Sequence, residues 1–277
     1  MSGSIDYSVL FAPAATDSTS LLSILAGGGA PGGGGANALT ALSQAERNET
    51  KDVGIVARQP QVARLLATFT AAVNAAKTPA DLLKNPQVLD VLLTANGLGD
   101  QTAYTALARK ALLSDIKVAS SVANQLSDTR WKTLAKAYDF ANKGLSLIQN
   151  PTALATIANQ YAEVTWRKSL DAATPGLSKA LDFRARAGAI KSVDQVLGDA
   201  NFRAVVLSAF NIPLQIAYQG LPAQEQAVSQ RLDLAKLKDP HYIDSITQRY
   251  LQSQKAAPAS GAISLETLAV QAQGLIA

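Results

Sequence analysis

The sequence predicts an all-α protein: a compact multi-helix body built from two duplicated helical units, with a flexible N-terminal extension and a short C-terminal one. Three observations carry that reading. Hydrophobic residues make up 48% of the 277, yet aromatics only 5%; alanine, leucine and valine supply much of the apolar content, and the first two are the best helix formers. Polar residues stand directly before proline at Thr78-Pro79, Asn85-Pro86, Asn150-Pro151, Thr174-Pro175 and Asp239-Pro240. A side-chain oxygen there accepts from an orphan N–H of the first turn, and proline fits the first helical position, so each pair marks a helix start. Lastly, "KTPADLLKNPQVLDVLLTANGLG" from Lys77 is answered by "KSVDQVLGDANFRAVVLSAFNIP" from Lys191, at a constant offset of 114 and without a gap.

Taken in order, residues 1–47 read as a flexible segment rich in glycine, serine and alanine, centred on "AGGGAPGGGGAN". No strand precedes these glycines and no lysine-serine or lysine-threonine pair follows, so they lack the context of a phosphate-binding loop. Residues 48–254 form the duplicated helical domain, with repeat cores at 77–126 and 191–250. In each core a short helix, a capped corner at Asn85 or Asp199 and a second, strongly apolar helix make one hairpin unit. Leu83 falls on Leu197, Val91 on Val205, Leu93 on Leu207 and Ala95 on Ala209. Farther on, "LLSDIKVASSV" matches "KLKDPHYIDSI", putting Asp115 and Asp239 at helix entries, with ten extra residues in the loop of the second copy. Within this domain, Tyr104, Leu107, Ala108, Ala111 and Leu112 follow helical spacing along one face. Trp131, Leu134, Ala135 and Tyr138 do the same, as do Leu154, Ile157, Ala158 and Tyr161. A duplication of this kind buries the equivalent helices against one another or stacks them in a small array over a shared dry interior. Residues 255–277 read as a linker and a short amphipathic helix, capped by Ser264 and too short to be stable alone in water.

Composition excludes several kinds of chemistry. Without cysteine there is no disulfide framework, thiolate nucleophile or cysteine-ligated metal, and one histidine, His241, makes a histidine metal site or a local catalytic triad hard to build. The formal charge of +4 is mild and its signs are mixed, whereas a nucleic-acid binder concentrates its basic residues. No apolar run reaches the roughly 18–20 residues needed to cross a bilayer. The opening residues lack the basic and apolar regions of a cleaved signal peptide. A soluble protein without a cleavable signal peptide is expected, one that leaves the cytoplasm, if it does, by a route without a cleaved leader.

Two sentences of the repeat, with "KALLSDIKVASSVANQLSDTRWKTLAKAYDF" and "QRLDLAKLKDPHYIDSITQRYLQ", resemble the bacterial, mainly alphaproteobacterial, family called domain of unknown function 1217. The resemblance spans 48–254, is most distinctive at "LSDTRW" and "DLAKLKDP", and departs at Ile116, where the family more often has proline. It implies a helical protein without an established enzymatic activity, encoded among flagellar genes. The expectation drawn from it is a non-enzymatic structural or assembly protein of the flagellum acting by protein contacts; the alternative is a cytoplasmic adaptor or chaperone-like regulator of flagellar export.

No catalytic, metal-binding or cofactor-binding residue is assigned. His241 follows the cap Asp239 and reads as a surface or packing residue. Asp128 reads as the cap of the helix carrying Trp131, with Arg130 exposed or paired locally. The basic stretch from Trp166, with Arg167, Lys168, Lys179, Arg184, Arg186 and Lys191, reads as a solvated helix face rather than a phosphate-binding one. Candidate partner-binding residues lie in the two extensions: Leu21, Leu22, Ile24 and Leu25 near the start, and Leu265, Leu268, Leu275 and Ile276 at the end. Such apolar islands dock either onto their own domain or into a partner's groove. The partners expected are proteins, flagellar components among them, and a homo-oligomer is compatible with this reading.

Overall fold

A computed structural model describes residues 34–256. The candidate residues Leu21, Leu22, Ile24, Leu25, Leu265, Leu268, Leu275 and Ile276, and the cap Ser264, lie outside the described residues. Among the described residues the regular structure is helical throughout.

The first helix, α1 (Gly34–Ala57), begins well inside the segment read from composition as a tether. Ala38, Leu42 and Ala45 are buried in the core. Their spacing of i, i+4, i+7 is an apolar helical stripe, which the neighbouring glycines obscured. Helix α2 (Pro60–Ala75) buries Val62, Phe69 and Val73.

The two hairpins follow their sequence likeness down to single hydrogen bonds. In the first, Thr78 caps α3 (Pro79–Leu82) by accepting from the Asp81 N–H at 3.1 Å, and Asn85 caps α4 (Pro86–Ala95) by accepting from the Gln87 N–H at 2.9 Å. In the second, Ser192 caps α11 (Val193–Gly198) through the Gln195 N–H at 3.3 Å, and Asp199 caps α12 (Ala200–Ala209) through the Asn201 and Phe202 N–H groups at 2.9 and 3.2 Å. Both long helices stop the same way. The Leu98 N–H donates to the Leu93 carbonyl at 2.7 Å and the Ile212 N–H to the Leu207 carbonyl at 2.8 Å, each around a left-handed residue, Gly97 (φ 75°) or Asn211 (φ 51°). This is the Schellman stop, whose turning residue is glycine or, less often, asparagine.

The remaining helices are α5 (Thr105–Leu112), α6 (Val122–Gln125), α7 (Thr129–Tyr138), α8 (Phe140–Lys143), α9 (Pro151–Leu170), α10 (Leu177–Arg186), α13 (Leu221–Ser229) and α14 (Pro240–Ala256). Four of the five polar-proline pairs open helices as expected. At the fifth, Thr174 and Pro175 form a turn and α10 starts after Gly176, which takes φ 84°. Asp115 accepts from the Lys117 N–H and closes a turn rather than opening a helix, in contrast to Asp239 before α14. Tyr104 precedes α5 and is exposed, so the buried face of that helix is Ala108, Ala111 and Leu112.

Packing departs from a single shared interior. The equivalent helices sit in different apolar clusters: α4 packs chiefly on α9 and α2, α12 on α14 and α10. One cluster runs from Phe69 to Ile157 and includes Trp131 and the α4 leucines; the other joins the α1 stripe to Trp166, Phe183, Phe202 and Tyr250. Helix α9 ties them together. Its 20 residues span about 30 Å at 1.5 Å per residue, long enough to place Ile157 in one cluster and Trp166 in the other, while Leu66 and Tyr161 touch both.

Candidate functional site

The "LSDTRW" word lies at the junction of the two halves. Asp128 caps α7 by accepting from the Arg130 N–H at 3.0 Å, as its position before the helix requires. The Arg130 side chain, however, is neither exposed nor only locally paired. At 8% exposure it holds both Asp128 oxygens from Nε at 3.0 Å, donates through Nη1 to the Gly97 carbonyl at the end of α4, and lies 3.5 Å from Asp199, the cap of α12, and 3.6 Å from Asp100. One planar fork therefore joins the C-terminal end of the first hairpin to the capped corner inside the second, the geometry for which guanidinium is suited. The backbones meet closely here too. A Cβ on Gly198 would overlap the Ser127 carbonyl oxygen and stand 3.3 Å from the Asp128 Cα.

The ionic seam continues inward. Asp199 also receives Arg186 at 2.8 Å; Arg186 pairs with Asp182 and stacks 4.6 Å over the Phe202 ring; Asn201 donates to Asp182 at 3.0 Å. Burial alone would raise the Asp182 carboxyl, but the Arg186 guanidinium, with Asn201 and Arg167, outweighs it and holds the group below its ordinary value. Burial likewise opposes the charge on Arg186, and the two carboxylates reverse that, raising its pKa. Arg167 meets Glu163 at 2.5 Å and Glu49 at 3.0 Å, with Asp182 at 3.9 Å; burial still raises Glu163 against the pull of Arg167. Arg184 pairs with Glu46 at 2.5 Å and with Asp244. The arginines of the basic stretch are thus held by carboxylates of other elements, three of them from α1 and α14, and do not form the solvated face read from the sequence. His241 is exposed; its backbone N–H donates to Asp239, as its place in the first turn implies. Among the described residues no group of three or more histidine and acidic side chains is placed to hold a metal ion, and no helix is long and apolar enough to cross a membrane.

What sequence reasoning missed lies just past the second Schellman stop. The turn Leu214–Tyr218 and the first residue of α13 expose three large apolar side chains: Leu214 (70%), Tyr218 (92%) and Leu221 (54%). The signal was present. The offset of 114 runs on beyond Pro213, matching Gln101 with Gln215, Ala103 with Ala217, Tyr104 with Tyr218 and Leu107 with Leu221. Tyr104 is also exposed, at 60%. Each hairpin is therefore followed by a turn that presents a tyrosine to solvent.

Comparison with solved structures finds similarity to a protein of Agrobacterium tumefaciens known from X-ray crystallography: TM-score 0.68 and 24% identity, over 82% of this chain and 96% of that one. This supports the helical architecture and carries no activity. A comparison with curated proteins found no match. The model of the family described as protein of unknown function (DUF1217) matches residues 95–243, more than half of the chain, from the end of α4 through the junction and the second hairpin into α14. The chain belongs to that family.

Proposed function

We propose that this protein is a non-enzymatic structural or assembly component associated with the bacterial flagellum, working through protein–protein contacts. The observation that carries the contact reading is the exposed cluster of Leu214, Tyr218 and Leu221 on a turn anchored by the second hairpin. Keeping such side chains in water forgoes roughly 1.5–3 kcal/mol for each one that could be buried, and a partner surface recovers it. The flagellar assignment draws on the gene neighbourhood that the family resemblance implies.

A clean deletion strain tests the reading. Reduced swimming or altered flagellar number is expected, restored by the wild-type gene but not by one carrying Leu214→Ser, Tyr218→Ser and Leu221→Ser. These positions are exposed, so the triple variant should melt as the wild type does. Unchanged swimming and flagellation in the deletion strain would refute the assignment. Recovery of the protein with purified flagellar structures supports a structural component, whereas retention with cytoplasmic protein overturns that role in favour of an adaptor.

A further inference from the structure

Beside this turn lies an open groove of about 520 Å³ between the end of α12 and the last turns of α14, lined by Ser208, Phe210, Asn211, Arg231, Arg249 and Gln252 among others. Its electrostatics differ from those of the seam. There, Arg130, Arg167, Arg184 and Arg186 are each met by carboxylates. In the groove two arginines come together, no acidic residue lines the wall, and among the described residues neither arginine has a carboxylate within ion-pair distance. Arg249 rests over the Phe210 ring at 5.8 Å, a contact that orients the guanidinium plane without using its N–H groups. Arg231 gives one nitrogen to the Ala227 carbonyl at 3.0 Å, leaving other donors of its fork unspent. Asn211 and Gln252 add amide groups on the same wall.

We propose that this groove binds an acidic segment of a protein partner, whose carboxylates engage Arg231 and Arg249 while its apolar residues cover the neighbouring Leu214, Tyr218 and Leu221. The inference deepens the contact reading above by naming the chemistry of the partner. Charge complementarity selects an anion, and planar guanidinium forks match carboxylates in a bidentate manner. The exposed leucines and tyrosine, which follow Asn211 in the chain by three (Leu214), seven (Tyr218) and ten (Leu221) residues, select a peptide over a phosphate-rich ligand. A nucleic acid or an anionic membrane would draw on a broader field of cations.

The test uses the full chain and a fluorescein-labelled peptide of glutamate and leucine, read by fluorescence anisotropy, beside a control peptide with glutamine for each glutamate. Binding of the acidic peptide is expected, about tenfold weaker for Arg231→Gln and for Arg249→Gln, the loss of one charge-assisted contact each. Arg58→Gln, an exposed arginine elsewhere, should leave it unchanged. Equal binding of the glutamine peptide, equal loss in Arg58→Gln, or no effect of the groove variants overturns the proposal. So does failure of the peptide to bind while phosphatidylglycerol vesicles bind in an Arg249-dependent way, which assigns the groove to lipid. Normal swimming of the deletion strain with intact Arg249-dependent peptide binding removes the flagellar reading alone; a motility defect with peptide binding insensitive to both variants removes the groove alone.

Discussion

Replacing Arg130 with methionine is the sharpest probe of the fold, because one side chain holds the end of the first hairpin to the corner of the second. The substitution keeps much of the volume and removes the fork. Asp199 retains Arg186 at 2.8 Å, but Asp128 loses its partner at 2.6 Å and the Gly97 carbonyl loses its donor. Breaking a buried pair from one side costs about 3–5 kcal/mol. With Asp199 still paired, the low end applies, about 3 kcal/mol. For a domain of this size that is a fall of about 6–12 °C in Tm. Urea denaturation followed by circular dichroism gives the free energy directly. Arg130→Lys should recover less than half of the loss, since a single ammonium cannot reach Asp128, Gly97 and Asp199 together. Pairing Arg130→Met with Asp128→Asn should cost less than the sum of the two singles by about 1 kcal/mol or more, as expected for groups in contact. If Arg130→Met stayed within about 0.5 kcal/mol of wild type, the range of ordinary surface changes, Arg130 would not be the strut described here.

Three further outcomes test other parts of the structure. Leu42→Ala should cost about 3 kcal/mol, the usual penalty for a buried leucine, measured by urea denaturation; a negligible loss would return residues 34–47 to the tether first read from their composition. Gly198→Ala should destabilise by about 1–3 kcal/mol because its methyl group must displace backbone at Ser127, whereas Gly54→Ala, mid-helix with only the Arg58 tip at 3.7 Å, should stabilise by about 0.5–1 kcal/mol; thermal melts of equal sign would contradict this. Asp182, held by Arg186 below its ordinary value of 3.8, contributes stability that is present above that value and lost as pH falls through its lower folded value. Asp182→Asn should therefore flatten the acid limb of the urea midpoint below about pH 4. Glu163, raised by burial, acts in the opposite sense but is common to both proteins; parallel acid limbs would remove Asp182 from the linkage.

Much of the fold was legible because its signals are local. A capping oxygen and the N–H that it accepts from are two or three residues apart, so Asn85, Asn150 and Asp239 could be read directly, and the matching stops at Gly97 and Asn211 answer to the same short-range geometry. Residues 34–47 were misread for a related reason: glycine frequency is an average over a window, while burial of Ala38, Leu42 and Ala45 depends on their phase around a helix and on α9 and α14 lying beside it. Tyr104 failed in the other direction. Its spacing fits an apolar face, but the helix starts one residue later and leaves it in water. The exposed tyrosine turns could have been found by extending the offset of 114 a few residues, although the offset alone does not say which side chains face solvent.

By itself the sequence determined the all-helical class, the capped helix starts at Thr78, Asn85, Asp128, Asn150, Asp199 and Asp239 and the recurrence of one hairpin pattern, since each depends on propensity, periodicity or a hydrogen bond within one turn of chain. Only the tertiary structure decided that the equivalent helices occupy separate clusters, that Arg130 is buried between them, and that Arg231 and Arg249 share a wall without an acid. Arg231 and Arg249 are 18 residues apart, Arg130 and Asp199 69, and the clusters join residues farther apart still; burial and charge pairing over such separations are settled by which surfaces meet, and no local pattern records the choice.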